Sequence, residues 1–199
     1  MPGVLYDPNN VVVGQATLYY KAFSPTVPAV LVPDATAVFA VATWETASWI
    51  VAGATNEGFK VNFEKSTTQI MVEEQSTPVA ETIESANLGI EAELAEATIE
   101  NMKLAWNGSV ITTVAAASGV TGTKKMTLTD TVQYWAVAIE TLNRLGFARR
   151  ILIPKMTAVG SGETSFRRAA DKQMHPMRWS MMCKPTDVQI VDVTAAALP

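Results

Sequence analysis

The chain has 199 residues, one Cys and one His, with 48% hydrophobic and only 17% charged residues, against an average near 25% charged. That length suits one domain with its own core; a lone Cys excludes an internal disulfide, and with a lone His it excludes a zinc-finger site. Net charge is −4 and mean hydropathy +0.16, so the basic footprint of a specific nucleic-acid binder is missing and the apolar balance points to extra buried surface between subunits.

Met1–Asn10 holds Asp7 and two prolines and lacks the apolar centre of a signal peptide. The most apolar stretch, Val27–Ala54, is broken by Pro28, Pro33, Asp34 and Glu45, so it falls short of the ~18 uninterrupted apolar residues of a membrane helix. Val11–Val13 and Thr17–Phe23 read as strands. Ser24–Pro33 contains three prolines, which suit an extended arm or an edge. Val38–Thr43 and Ser48–Ala52 read as strands, and a turn follows at Gly53–Gly58.

Strict alternation then sets in. Phe59, Val61 and Phe63 point one way and Lys60, Asn62 and Glu64 the other, the period of a half-buried strand. Ser66-Thr67-Thr68 marks a turn, and Gln69–Gln75 reads as a return strand. In the longer strand Glu81–Leu94, Ala86, Leu88, Ile90, Ala92 and Leu94 share a face. Ile83 falls out of phase, which predicts a bulge near Ser85.

A helix is predicted over Ala95–Trp106. Ile99, Met102 and Trp106 form its stripe, Glu96 sits in its first turn, and Asn107-Gly108 stops it. Val110–Thr123 reads as a long loop ordered against a partner. Gln133–Leu142, Ala148–Pro154, Thr164–Ala170 and Met174–Cys183 read as further strands. About nine short strands and one helix predict a mainly β fold, a two-sheet β-sandwich or barrel with one flanking helix.

Charge is partitioned along the chain. Residues 57–100 hold ten acids against Lys60 and Lys65, a net of −8; residues 140–184 hold nine bases against three acids, a net of +6. One reading is pairing within the protomer across the sheet. The other is head-to-tail association of basic against acidic surfaces, which generates rings or filaments.

No constellation supports catalysis, a cofactor or a metal. His175 lies beside Pro176 with no second His, and Cys183 shares an alternating face with Met177, Trp179 and Met181, a packing position. Gly119–Lys125 has the wrong spacing for a phosphate loop, and Gly160-Ser161-Gly162 is too short for a dinucleotide fingerprint. Glu73-Glu74 and Glu91 with Glu93 read as solvated surface rather than as an acid–base pair.

Gly53–Met102 carries, in order, a Gly-Ala-Thr-Asn-Glu-Gly turn, an alternating hairpin ending in Val72-Glu73-Glu74-Gln75, Thr77-Pro78-Val79, a long strand, and Ala95–Met102. This order resembles the tail tube (major tail) proteins of tailed bacteriophages, chiefly those with long non-contractile tails. It covers about 50 residues; the rest agrees in strand order only, down to Asp187–Ile190. The resemblance implies a β-sandwich or flattened barrel flanked by a helix, six copies closing into a ring, and rings stacking into a tube that conducts genomic DNA. It implies a single domain over 1–199, with an N-terminal arm (1–10), an extended arm and stacking hairpin or loop (24–58), a long loop (110–131) and a C-terminal tail (187–199). It also implies a structural virion protein, made in the host cytoplasm, whose partners are its own copies, the tape measure protein, the tail terminator and the tail tip. DNA is then a passenger, not a specific ligand, and no cofactor is called for.

On this reading Glu64, Glu84, Glu91 and Glu93 are candidates to line the bore, where few cations means little retention of DNA. Arg149, Arg150, Arg167, Arg168, Glu73 and Glu74 are candidates for contacts between subunits, and Phe39, Trp44 and Trp49 for ring stacking, with the stacking hairpin placed at Phe39–Ile50. Two alternatives stand beside it: the tube of a contractile tail or injection machine, and a soluble β-sandwich module binding carbohydrate or serving adhesion. The latter needs an exposed aromatic platform, for which Trp44 and Trp49 are the candidates.

Overall fold

A computed structural model describes residues 16–25, 44, 48–71, 73, 77–96, 98–142, 148–159 and 174–192. Over the described residues the chain is mainly β with one flanking α-helix, and the two sheets are unequal, one of eight strands and one of two. The elements are β1 (Thr17–Ala22), β2 (Ile50–Val51), β3 (Thr55–Ile70), β4 (Ala80–Leu94), α1 (Ile99–Ala105), β5 (Ser109–Val114), β6 (Thr123–Leu128), β7 (Trp135–Leu142), β8 (Ala148–Ala158), β9 (His175–Met181), a 3-10 turn (Pro185–Asp187) and β10 (Gln189–Asp192). The expected strands at 11–13, 38–43 and 164–170 lie outside the described residues.

The large sheet runs β2-β1-β7-β8-β9-β4-β3, all antiparallel, with β10 beside β8. β10 pairs with Arg149–Leu152 of β8 and β9 with Met156–Ala158, so the two share one side of that strand in succession. Leu18 and Tyr20 of β1, Leu88, Ile90 and Leu94 of β4, Val137 and Ile139 of β7, Ile153 of β8, Trp179 of β9 and Leu104 of α1 belong to one buried cluster. The sheet therefore curls around one main core, which the helix helps to close.

The period-two pattern decides which side chains enter that core. In β7, Trp135, Val137 and Ile139 face it, while Ala136, Ala138 and Glu140 face the other way. The small alanines leave room on that second face, where Trp44 stacks on Tyr19 at 4.5 Å and Trp49 meets Trp44 edge-on at 5.4 Å. The β1-β7-β8 part of the sheet is thus covered on both faces.

Several sequence expectations are corrected here. Ser66–Thr68 is not a turn. β3 runs straight through it for 16 residues, and the register slips by one residue between Ser66–Ser85 and Thr67–Ile83. The bulge expected near Ser85 is there, with Glu84 as the extra residue, and it absorbs the irregularity that a turn was invoked to explain. The helix begins at Ile99 rather than Ala95, because the Thr98 hydroxyl caps it by accepting from Asn101 N at 3.2 Å. Its buried face is Asn101, Leu104 and Ala105, not Ile99, Met102 and Trp106, since Trp179 Nε1 donates to Leu104 O at 3.0 Å and pulls that side onto β9. Glu96 is freed from the first turn and accepts from Ala54 N at 2.9 Å, fixing the base of the β3–β4 hairpin. Gly53 sits at φ +80°, a backbone that requires glycine; the nearest atom to a Cβ there is Glu96 Oε2 at 2.8 Å, the end of a flexible side chain.

The expected loop over 110–131 is instead the β5–β6 hairpin. The expected tail from 187 contributes β10. The arm and loop assigned to 24–58 give up Ile50–Val51 and Thr55–Gly58 to the large sheet.

Candidate assembly surfaces

Beyond the core the β3–β4 hairpin continues outward. Phe63 pairs with Leu88, the outermost buried residue of β4, and the ladder carries on to Ile70 and Ala80. Among the described residues β3 pairs only with β4, so its other edge carries backbone N–H and C=O groups with no partner strand there. The core-side face of the hairpin carries exposed apolar side chains, Val61, Phe63 and Ile83 at 37%, 57% and 56%, among Lys65, Thr67 and Gln69.

The opposite face of β3, β4 and β9 is polar. Glu64, Glu91 and Glu93 lie on it together, as the alternation predicts, and Glu84 is set apart as the bulge residue. Lys60, Glu91 and Arg178 form one row across the three strands. Arg178 Nε donates to Glu91 Oε1 at 3.1 Å, and both side chains are exposed, so the pair contributes little to stability. What it does is screen the guanidinium. A groove of about 460 Å³ on this side is bordered by Glu57, Lys60, Glu91, Glu93 and Arg178, which leaves the face net acidic.

Among the described residues, most bases of the C-terminal third have partners inside the protomer. Arg150, placed among the subunit contacts by sequence, is fully buried and donates from Nε to Glu140 Oε1 at 2.9 Å. Trp44 Nε1 donates to the other Glu140 oxygen at 3.0 Å. A charge without water must be paired, and the pair in turn holds the Trp44 indole over the sheet. Lys155 Nζ lies 5.0 Å from the Phe23 ring centroid and 4.0 Å from that of Tyr134, a cation–π seat. Arg149 is half-buried beside β10. Of the other contact candidates, Glu73 is exposed next to the hairpin tip, and Glu74, Arg167 and Arg168 lie outside the described residues. Trp44 and Trp49 are 0% and 4% exposed; the structure places both in the protomer's core, not on a stacking surface or an aromatic platform. Phe39 lies outside the described residues.

Sequence reasoning missed the β5–β6 hairpin. Its inner side rests on α1 through half-buried Ile111 and Met126 and through Lys124, which donates to Glu100. That hydrogen bond holds the Glu100 carboxyl below the usual carboxylate range. Its outer side is exposed. The β-branched run Val110–Val114 is the signal that identifies a strand where the small residues after it suggested a loop.

His175 is buried, and burial pushes its pKa below the usual value; burial likewise raises the Cys183 thiol. No group of three or more metal-ligating side chains, and no helix long and apolar enough to cross a membrane, occurs among the described residues. Gly119 (φ +78°) lies in the tip of the β5–β6 hairpin, with no helix following it to build a phosphate site.

No family model and no curated protein matches the chain. Among solved structures, a chain of the 6-fold symmetrised cryo-EM baseplate of the anti-feeding prophage is similar at 11% identity and a TM-score of 0.42, over 92% of this chain and 96% of that one.

Proposed function

We propose that this chain is a structural subunit of a phage-type tail or injection device, a tube protein that acts by self-assembly and not by catalysis. The observation that carries this reading is the unfinished border of the sheet. A 16-residue edge strand pairs with one neighbour among the described residues, and exposed Phe63 and Ile83 stand at and past the end of the core. A lone molecule in water gains nothing from such a surface and risks aggregation; identical copies complete it. The protruding β3–β4 hairpin, rather than Phe39–Ile50, takes the role of the stacking element.

The polar face of β3-β4-β9 suits a bore. Its two cations flank Glu91, and Glu57, Glu64 and Glu93 leave the balance negative. A phosphate backbone is weakly repelled by such a wall and slides, whereas unscreened Lys or Arg would hold it through counterion release. In this proposal copies close into six-membered rings, rings stack, and the tape measure protein, terminator and tail tip are the partners in the virion. The carbohydrate module loses support, since its two platform tryptophans are core residues.

Negative-stain microscopy of the concentrated protein tests the reading: hollow tubes of stacked rings are expected, and a monodisperse monomer at millimolar concentration overturns it. Changing Glu64 and Glu93 to Lys in the intact particle is expected to leave tubes whole and slow DNA release; unchanged infectivity removes the bore assignment.

A further inference from the structure

The outer face of the β5–β6 hairpin is a second bare surface. Period-two alternation puts Val110, Thr112, Val114, Thr123, Lys125 and Thr127 together on it, all exposed, with Val110 and Val114 at 48% and 57%. β-Branched side chains make this face flat. No Asp or Glu occurs from 109 to 129, and Lys125, unlike Lys124, makes no hydrogen bond or ion pair among the described residues.

The outer half of the β3–β4 hairpin is its counterpart in charge and size. It extends roughly 25 Å past Leu88 at ~3.3 Å per residue, against about 20 Å for a six-residue strand of β5 or β6. It carries exposed Phe63 and Ile83, with Glu73, Glu81 and Glu84 against Lys65. The two surfaces are bare in the same protomer, so they do not cover each other within it.

We propose that these hairpins mate between copies: the acidic, apolar outer half of β3–β4 of one copy docks on the basic, β-branched outer face of β5–β6 of the next. Two different patches that fit one another give a heterologous contact, which propagates into a ring or a stack instead of stopping at a dimer. This rests on the tube reading and assigns its mating surfaces. It also moves the basic partner from the Arg-rich C-terminal third, whose Arg150, Lys155 and Arg178 are held within the protomer, to Lys125.

The test is charge reversal with rescue, read by sedimentation and negative stain on the full chain. Lys125→Glu alone, and Glu81→Lys with Glu84→Lys, are each expected to raise the concentration for half-assembly about ten-fold through like-charge juxtaposition. All three changes together are expected to restore it to within about three-fold. Circular dichroism matching the parent shows that the fold is intact, as expected for exposed positions. Reversed variants that assemble like the parent, or folded variants that the triple change fails to rescue, overturn the pairing and leave the tube reading standing. A parent chain that never assembles removes both. Independently, Ile83→Cys with Val110→Cys in a Cys183→Ala background is expected to give a ladder of disulfide-linked copies on oxidation; monomer only, from assembled material, overturns the proposal.

Discussion

At β1, β7 and β8 the sheet is covered on both faces, by the main core on one side and by Trp44 and Trp49 on the other. At β3 and β4 it has a core on one face for half its length and then, among the described residues, no packed cover on either. The same alternation rule operates in both regions. What differs is supply: the first region has enough chain folded over it to satisfy even a buried charge pair, while the hairpin carries its hydrophobic pattern beyond the reach of its own molecule. The contrast teaches that a pattern predicts a buried face without saying whose atoms bury it.

The largest effect is expected where the doubly covered region is broken electrostatically. Arg150→Met leaves Glu140 charged and dry, and a loss of about 3–5 kcal/mol in urea unfolding is expected. A loss below about 1 kcal/mol would mean that water reaches the pair and that the second face is open. The same burial means that charge reversal at Arg150 measures folding, not a subunit contact.

Backbone geometry sharpens the comparison next. Gly108 has φ +76° and a Cβ there would lie 2.5 Å from Thr129 O, whereas Gly119 has φ +78° with nothing within 4 Å. Gly108→Ala is expected to cost about 1–3 kcal/mol plus the clash, and Gly119→Ala only about 1 kcal/mol; equal thermal shifts would show that the base of β5–β6 yields as easily as its tip.

Protonation probes the main core from both sides of neutrality. Burial lowers the His175 pKa below 6.5, so the unfolded chain takes up the proton first as pH falls. Stability is therefore lost as pH drops below about 6.5, and the loss stops growing once the folded-state value is passed. Burial, helped by Glu100, pushes the Tyr20 phenol up to about 12 from 10.0, so stability is lost as pH rises from about 10 to about 12. Denaturant midpoints against pH should show both limbs, with the acid limb reduced in His175→Gln relative to its own value at neutral pH.

The smallest effect on folding is expected in the bare region. Phe63→Ser should change unfolding free energy by no more than about 0.5 kcal/mol while weakening assembly. A large loss of stability would mean that the protomer already buries this side chain.

Local patterns in the sequence carried much of the fold. The alternation of residues 59–64 and 86–94 placed Glu64, Glu91 and Glu93 on one polar face, and the phase error at Ile83 located the bulge. Where the text of the chain misled, the reason was a contact distant in sequence. Ser66–Thr68 has turn residues, yet a partner strand holds it extended. Trp44 and Trp49 read as residues of ring stacking or of an aromatic platform, yet Tyr19 together with Ala136, Ala138 and Glu140, nearly a hundred residues away from Trp44, makes a seat for them. That row alternates with Trp135, Val137 and Ile139, a large-and-small pattern that does announce a second covered face.

The chain by itself determined the strand periods, the helix, the turn glycines and the sign of each charged segment, because these follow from backbone geometry and neighbours within a few residues. Tertiary structure alone decided which charges are neutralised, which aromatics are core and which apolar stripe is left uncovered. Burial and pairing belong to surfaces that meet only after the sheet has curled, and no short window of sequence contains both partners.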